Sequence, residues 1–231
     1  MYQTHQDDYF CLNMIVLSTM IALEELLGEN GIQDILSKAN LSQFINNYPT
    51  DDLDKNLCFA DFSSFILTPV KIYGTRRARS LALKTGSYVF DTTLKDFGAI
   101  ASMVDPAFVD LPLRVKLRIG IFTISKIISY ISGQKIAIKE EIYIFIYSVH
   151  NCPVCWRYRD TDKPVCNFTV DLLKEGLKWF SDGIEFVVHE VKCIAMGDDV
   201  CEFEIQKEPR NMLEQNRGKI CATYCCNSYI Q

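Results

Sequence analysis

The sequence predicts an α+β fold in which helices come first and antiparallel strand pairs follow, and three observations carry that prediction. Up to about residue 135 the apolar residues recur at helical spacing. From Lys135 the character changes to KIAIKEEIYIFIYSVHNC, rich in isoleucine and tyrosine with the alternation of strands. Five of the ten cysteines then fall between Cys152 and Cys201, as CxxC, ten residues, C, and a later C-x7-C. Their spacing is that of thiolates gathered on a metal ion.

The elements follow in order. Apolar residues from Met14 to Leu27 predict one helix, Gly28 to Gly31 breaks it, and Ile32, Ile35, Leu36 and Ala39 restart it. NNYPTDDLDKN, Asn46 to Asn56, is polar and turn-rich and reads as a loop. Phe62, Phe65, Ile66 and Val70 precede YGTRRARSLALKTGSYVFDTTLKDFG, where Ala78, Leu81, Ala82 and Val89 share a helical face whose small residues allow close approach of another element. Pro106 and Pro112 mark a bend, after which Leu113, Leu117, Ile121, Ile124, Ile127 and Ile128 form a stripe ending near Gly133. Core packing explains each stripe; the alternative is that these helices enclose a cavity for an apolar ligand.

The strand-rich part begins with a hairpin turning at Glu140 and Glu141, whose second strand delivers His150 and Cys152. DTDKPVCNFTVDLLKEGLKWFS predicts a helix capped by Thr161 or Asp162, with Pro164 and Cys166 in its first turn and Val170, Leu173, Leu177 and Phe180 inward. IEFVVHEVKC and CEFEI read as two strands joined across Ile194 to Val200, with Gly197 in the turn.

Composition narrows the function. A chain of 231 residues with 48% apolar content can bury a sizeable core. Cysteine falls short of the density of a disulfide scaffold, and the opening MYQTHQDDYF is acidic, unlike a secretory signal, so reduced thiols and an intracellular protein are expected, in cytoplasm or plastid stroma. A net charge of −5 argues against nucleic-acid binding. Met14 to Leu27 is too short for a membrane span, and Leu117 to Ile131 carries Lys126 in its middle. Arg114, Lys116 and Arg118 are open to two readings, a peripheral membrane contact or a solvated helix face.

The metal chemistry can be argued residue by residue. A hairpin brings Cys193 and Cys201 together across its strands. Cys166 sits near a helix N-terminus, whose partial positive charge favours thiolate. The fourth ligand is either Glu190 or one of Cys152 and Cys155 in NCPVCW; regular alternation puts Glu190 and Cys193 on opposite faces, so Glu190 requires a bulge. The alternative to a metal site is a set of buried thiols packing as small hydrophobes. The thiols left over would join a second metal or iron–sulfur centre, line a pocket beside His150, or be buried. His150 is either an axial ligand to a haem or chlorophyll-type macrocycle or a structural histidine, and His189 is a candidate outer support for a ligand. In the tail, KICATYCCNSYIQ, Cys221, Cys225 and Cys226 leave metal, redox and lipid-attachment readings open beside that of a plain extension.

HEVKCIAMGDDVCEFEI, with E-x-x-C, a Met-Gly turn and a C-led strand, resembles the 4-vinyl-reductase domain family. With YGTRRARSLALKTG, FINNYP, SVHNCPVCW and DKPVC it is similar to a subgroup found in cyanobacteria and other phototrophs, over residues 30 to 208. The resemblance implies a fold shared with core subunits of the TRAPP vesicle-tethering complex, helices on one side of an antiparallel sheet around an apolar pocket, with a zinc-bound C-terminal hairpin. Phenol-sensing members of the family bind zinc through Cys, Glu, Cys and Cys, which implies Cys166, Glu190, Cys193 and Cys201 here and favours Glu190 over Cys155. The CxxC at Cys152 and Cys155 and the cysteine-bearing tail depart from those sensors.

The expected organisation is an N-terminal helical extension, 1–29, a small-molecule-binding domain, 30–208, and a tail, 209–231. The expected function is a zinc-containing domain that binds a hydrophobic small molecule, such as a tetrapyrrole or chlorophyll precursor, as carrier, sensor or photosystem-assembly factor. His150, Leu81, Val89, Leu117, Ile121 and Ile124 are the candidate ligand contacts. The expected partners are that ligand, a second copy in a homodimer, and a membrane or photosystem protein. Two alternatives are an enzyme or subunit in chlorophyllide vinyl reduction, and an interaction module resembling a tethering subunit. Without a GxGxxG after a strand, a P-loop or a nucleophile triad, a non-enzymatic role is favoured.

Overall fold

A computed structural model of the chain describes residues 9–97 and 100–213. The tail cysteines Cys221, Cys225 and Cys226 lie outside the described residues. Helices α1 (Asn13–Leu27) and α2 (Glu29–Lys38) hinge at Gly28, whose φ of 76° suits glycine. Strands β1 (Phe10–Cys11) and β2 (Leu57–Cys58) pair antiparallel and bracket the polar loop that follows α2. Asp52 of that loop accepts a 2.9 Å hydrogen bond from Asn13 at the start of α1. Val16, Met20 and Leu23 of α1 share one core with Ile32 and Ile35 of α2 and with Phe62 and Phe65 of the next helix.

That helix, α3 (Phe59–Val89), is broken at Gly74 (φ 76°) and ends in a π turn, Phe90–Leu94. A one-turn helix α4 (Pro106–Val109) is capped by Asp105, which accepts from Ala107 N at 2.8 Å. Helix α5 (Leu113–Ser132) begins after Pro112 and stops at Gly133 in the left-handed region, as the bend and the glycine predict. Strands β3 (Ile136–Glu140), β4 (Ile144–Val149), β5 (Phe186–Lys192) and β6 (Cys201–Pro209) form an antiparallel sheet in the order β3-β4-β6-β5. Phe145, Tyr147 and Val149 alternate inward with Cys201, Phe203 and Ile205. Helix α6 (Asn167–Phe180) packs on β5, and α5 on β3.

The fold class is therefore as expected, a helical part against an antiparallel sheet. One boundary differs. α6 starts at Asn167 with Cys166 as N-cap, several residues after Thr161, because residues 160–165 are held by the hairpin turn instead: Thr161 N donates to Ala195 O at 3.0 Å. No described helix is long and apolar enough to cross a membrane. Of the three basic residues early in α5, Lys116 is buried and paired with Asp182 at 2.7 Å, and Arg118 pairs with Glu140 at 3.2 Å.

The small-residue face of α3 receives α6. A Cβ added at Gly86 would stand 2.2 Å from the carbonyl oxygen of Phe168, in the first turn of α6. Backbone cannot yield as a side chain can, so Gly86→Ala should destabilise the protein by about 1–3 kcal/mol, read as a lower thermal midpoint.

Candidate metal centre

Three segments converge at the start of α6. The loop after β4 supplies Cys152 and Cys155, the N-cap of α6 supplies Cys166, and the β5–β6 hairpin supplies Glu190, Cys193 and Cys201. All five sulfurs are buried, none more than 1% exposed. Cys152 Sγ lies 3.5 Å from Cys166 Sγ, Cys155 Sγ 3.3 Å from Cys201 Sγ, and Cys166 Sγ 3.7 Å from Cys201 Sγ. Cys193 Sγ stands 3.9 Å from Cys166 Sγ and 4.0 Å from Cys201 Sγ. Two sets of four donors each lie within 4.8 Å of one another: Cys152, Cys155, Cys166 and Cys201, and Cys166, Glu190, Cys193 and Cys201. Either set has the number and type of donors a tetrahedral zinc site uses.

Local structure explains each placement. Glu190 pairs with Phe203 and Lys192 with Glu202, so Val191 is an extra residue on β5. This bulge is what lets Glu190 and Cys193 reach one face despite the odd interval between them. The hairpin turn is closed by Gly197 (φ 99°) and by Asp198 Oδ2, which accepts from Cys193 N at 2.8 Å. The loop carrying Cys152 and Cys155 is gripped from α3. Ser63 Oγ donates to Val154 O at 2.9 Å and accepts from Arg157 N at 3.2 Å, while Tyr158 Oη donates to Leu67 O at 3.4 Å. Asn151 fastens the other end of the loop, donating to Gly133 O at 3.0 Å and accepting from Lys135 N. Ser63 and Asn151 are not singled out by the sequence reading. A hydroxyl on the apolar face of FADFSSFIL, one residue after Phe62, is the signal that points to Ser63.

Glu190 spans the cluster. One carboxylate oxygen, Oε2, accepts from Cys166 N at 2.8 Å; the other, Oε1, is buried with no hydrogen-bond partner among the described residues. An orphaned carboxylate oxygen beside thiols is what a cation would satisfy. Burial, and then the charge of Cys193, push the Glu190 carboxyl up to about 9. The sulfurs divide in the same way. Cys152 and Cys193 are held well below the ordinary thiol range, each first by Cys155 as hydrogen-bonding neighbour. Burial pushes Cys166 up, and Cys155 and Cys201 are raised first by their contact with Cys152. So many acidic groups packed together cannot all ionise without positive charge among them.

The other candidate residues lie elsewhere. His150 is exposed at the end of β4, its backbone N–H donating to Lys135 O at 2.9 Å, and His189 is exposed on β5. Leu81, Val89, Leu117, Ile121 and Ile124 are buried in the core. An apolar cavity of about 60 Å³ lies between the helices, with Ile15, Phe62, Leu94, Ile128, Pro153 and Phe168 among its wall residues. The α5 stripe thus meets it near its C-terminal end, beyond the three α5 residues named from the sequence. Pro153 lies between Cys152 and Cys155, and Phe168 lies two residues beyond Cys166, stacking edge-on to Phe62 at 5.9 Å. No histidine is among the described residues lining this cavity.

An α+β domain with a buried cysteine–glutamate cluster beside an apolar cavity is the class that this geometry defines. The chain carries a 4-vinyl-reductase (4VR) domain over residues 145–207, the stretch that holds every donor of the cluster. This is the family resembled by the cysteine motif. In fold, the chain is similar to an Fe(II) unliganded H-NOX protein from K. algicida, with a TM-score of 0.56 at 12% identity over 85% of this chain and 96% of that one. The IWP-051-bound H-NOX from Shewanella woodyi, in its Fe(II)CO ligation state, matches with a TM-score of 0.52 at 12% identity over 86% and 95%. A mutant of the T. Tengcongensis H-NOX gives 0.51 at 12% identity over 86% and 98%. None of the curated proteins matches the chain in sequence.

The Glu190 carboxyl rises from its ordinary 4.5 to about 9, so its folded form holds a proton across that range that the unfolded form has lost. Stability drawn from it is present below the lower value and lost as pH climbs through the upper one. With a chelator present, the wild-type protein should therefore lose stability relative to Glu190→Gln between about pH 4.5 and 9, measured by denaturant unfolding at a series of pH values.

Proposed function

We propose that this chain is a metal-centred domain that binds an apolar small molecule and reports or carries it. The observation that supports the metal most directly is the convergence of five buried thiols on a carboxylate with an orphaned oxygen. Zinc is the ion that fits best, because thiolate-rich tetrahedral sets suit it and a set closed by protein ligands is structural. In this reading zinc holds the start of α6 to the β5–β6 hairpin, and the cavity beside it receives the ligand. Pro153 and Phe168 connect the two, so a molecule that displaces either wall residue also pulls on the loop or helix start that carries a donor. Sensing is the role this coupling favours.

The size of the ligand follows from the cavity. About 60 Å³ is well below the roughly 300–1,000 Å³ of sites that enclose drug-sized molecules. A tetrapyrrole ligated by histidine does not fit the arrangement, because neither described histidine reaches the cavity and the helices would have to part. The likeness to H-NOX proteins in Fe(II) states supports testing for such a group all the same, and an absorption spectrum does so directly.

Elemental analysis and a visible spectrum of the purified chain test both halves of the proposal. Bound zinc and no visible band is the expected result; protein free of metal would overturn the metal reading, and a haem-like or chlorophyll-like band would replace the small ligand by a tetrapyrrole. Cys201→Ser should lose the metal and melt lower by about 10 °C or more, since metal-binding energy in such a site is folding energy.

A further inference from the structure

The two donor sets are not independent, because Cys166 and Cys201 belong to both. Two four-coordinate ions that share two ligands need six donors. The cluster provides six: Cys152 and Cys155 at one end, Glu190 and Cys193 at the other, and Cys166 and Cys201 between them. None is missing and none is left over.

Distances agree with that count. A tetrahedral ion with metal–sulfur bonds of roughly 2.3 Å has sulfur–sulfur edges of about 3.8 Å. The shared pair, Cys166 and Cys201, is 3.7 Å apart. On the first side the edges are 3.5 Å for Cys152–Cys166 and 3.3 Å for Cys155–Cys201. On the second they are 3.9 Å for Cys166–Cys193 and 4.0 Å for Cys193–Cys201. These are the edges of two tetrahedra joined along one of them.

Resting on the reading that the cluster holds metal, we propose that it is a binuclear centre: two divalent ions of the zinc class bridged by the Cys166 and Cys201 thiolates. The first ion completes its shell with Cys152 and Cys155, the second with Cys193 and the orphaned oxygen of Glu190. Five thiolates and one carboxylate carry six negative charges against four positive ones, leaving two to be offset. Backbone N–H groups supply part of that offset. Ile194 N donates to the bridging Cys201 Sγ at 3.4 Å, and the main-chain groups of Val165 and Cys155 face Cys193 and Cys152. The CxxC is on this account half of the centre, not a packed remainder. A single ion in either set would leave two of the six donors without a cation.

The test uses the full chain, purified and loaded with zinc or with cadmium-113. Native mass spectrometry is expected to show two ions per chain, and the cadmium spectrum two resonances, an all-sulfur one and one with an oxygen ligand, split by coupling through the bridging thiolates. Cys152→Ser/Cys155→Ser should keep one ion. One ion in the wild-type protein overturns the binuclear centre and leaves the metal reading standing, whereas none overturns both. Two ions without mutual coupling, or a double variant that still binds two, would show a second ion bound outside the cluster and overturn the bridge.

Discussion

The structure depends on the mutual approach of six acidic donors in a place that water does not reach. The sulfurs of Cys166 and Cys201 stand 3.7 Å apart at the meeting point of a helix start and a hairpin, and every other donor is placed relative to that pair. Thiols tolerate burial, but a carboxylate oxygen without a partner does not, and Glu190 has one. The local backbone is arranged around this demand: a bulge in β5, a glycine turn before β6, and a helix whose first free N–H is taken by Glu190 rather than by a side chain of its own segment.

The helical half serves the same point from the other side. The α3–α6 crossing is close because Gly86 faces the Phe168 carbonyl, and this sets the height of the α6 N-terminus above the sheet. Gly120 of α5 meets the ring of Phe180 at the opposite end of α6 in the same manner. The helix carrying Cys166 is thus fixed at both ends by side chains too small to push it away. The apolar cavity occupies the remaining gap, where Ile128 and Phe62 do not quite fill the space behind Pro153.

Much of this is legible in the chain. Helical stripes, the hairpin at Glu140, the break at Gly133 and the inward face of α6 all follow from periodicity and from glycine and proline, which act over a few residues. The need for a bulge between Glu190 and Cys193 is equally visible, since an odd interval on a strand cannot otherwise share a face; the structure places it at Val191. What the sequence leaves open is the choice between Glu190 and Cys155 as fourth donor. Both arrive, and only the three-dimensional meeting of segments far apart in sequence shows it. The start of α6 differs from its sequence signals for a related reason: Thr161 and Pro164 are good local start residues, but the backbone there is engaged by Ala195, a partner no local pattern reveals. The two-residue pairing of β1 with β2 is too short to leave any periodic trace.

Ser63 carries a consequence for modularity. The family match spans 145–207, and every donor lies inside it, so the segment looks like a unit that could be excised or transplanted. Yet the loop of Cys152 and Cys155 is held by a hydroxyl in α3, and Phe168 rests on Phe62 of the same helix. Cut out alone, the matched segment would expose the face of α6 and release one end of the cluster. The unit of sequence similarity and the unit of folding are therefore different, and only a fragment that brings α3 with it would preserve the chemistry.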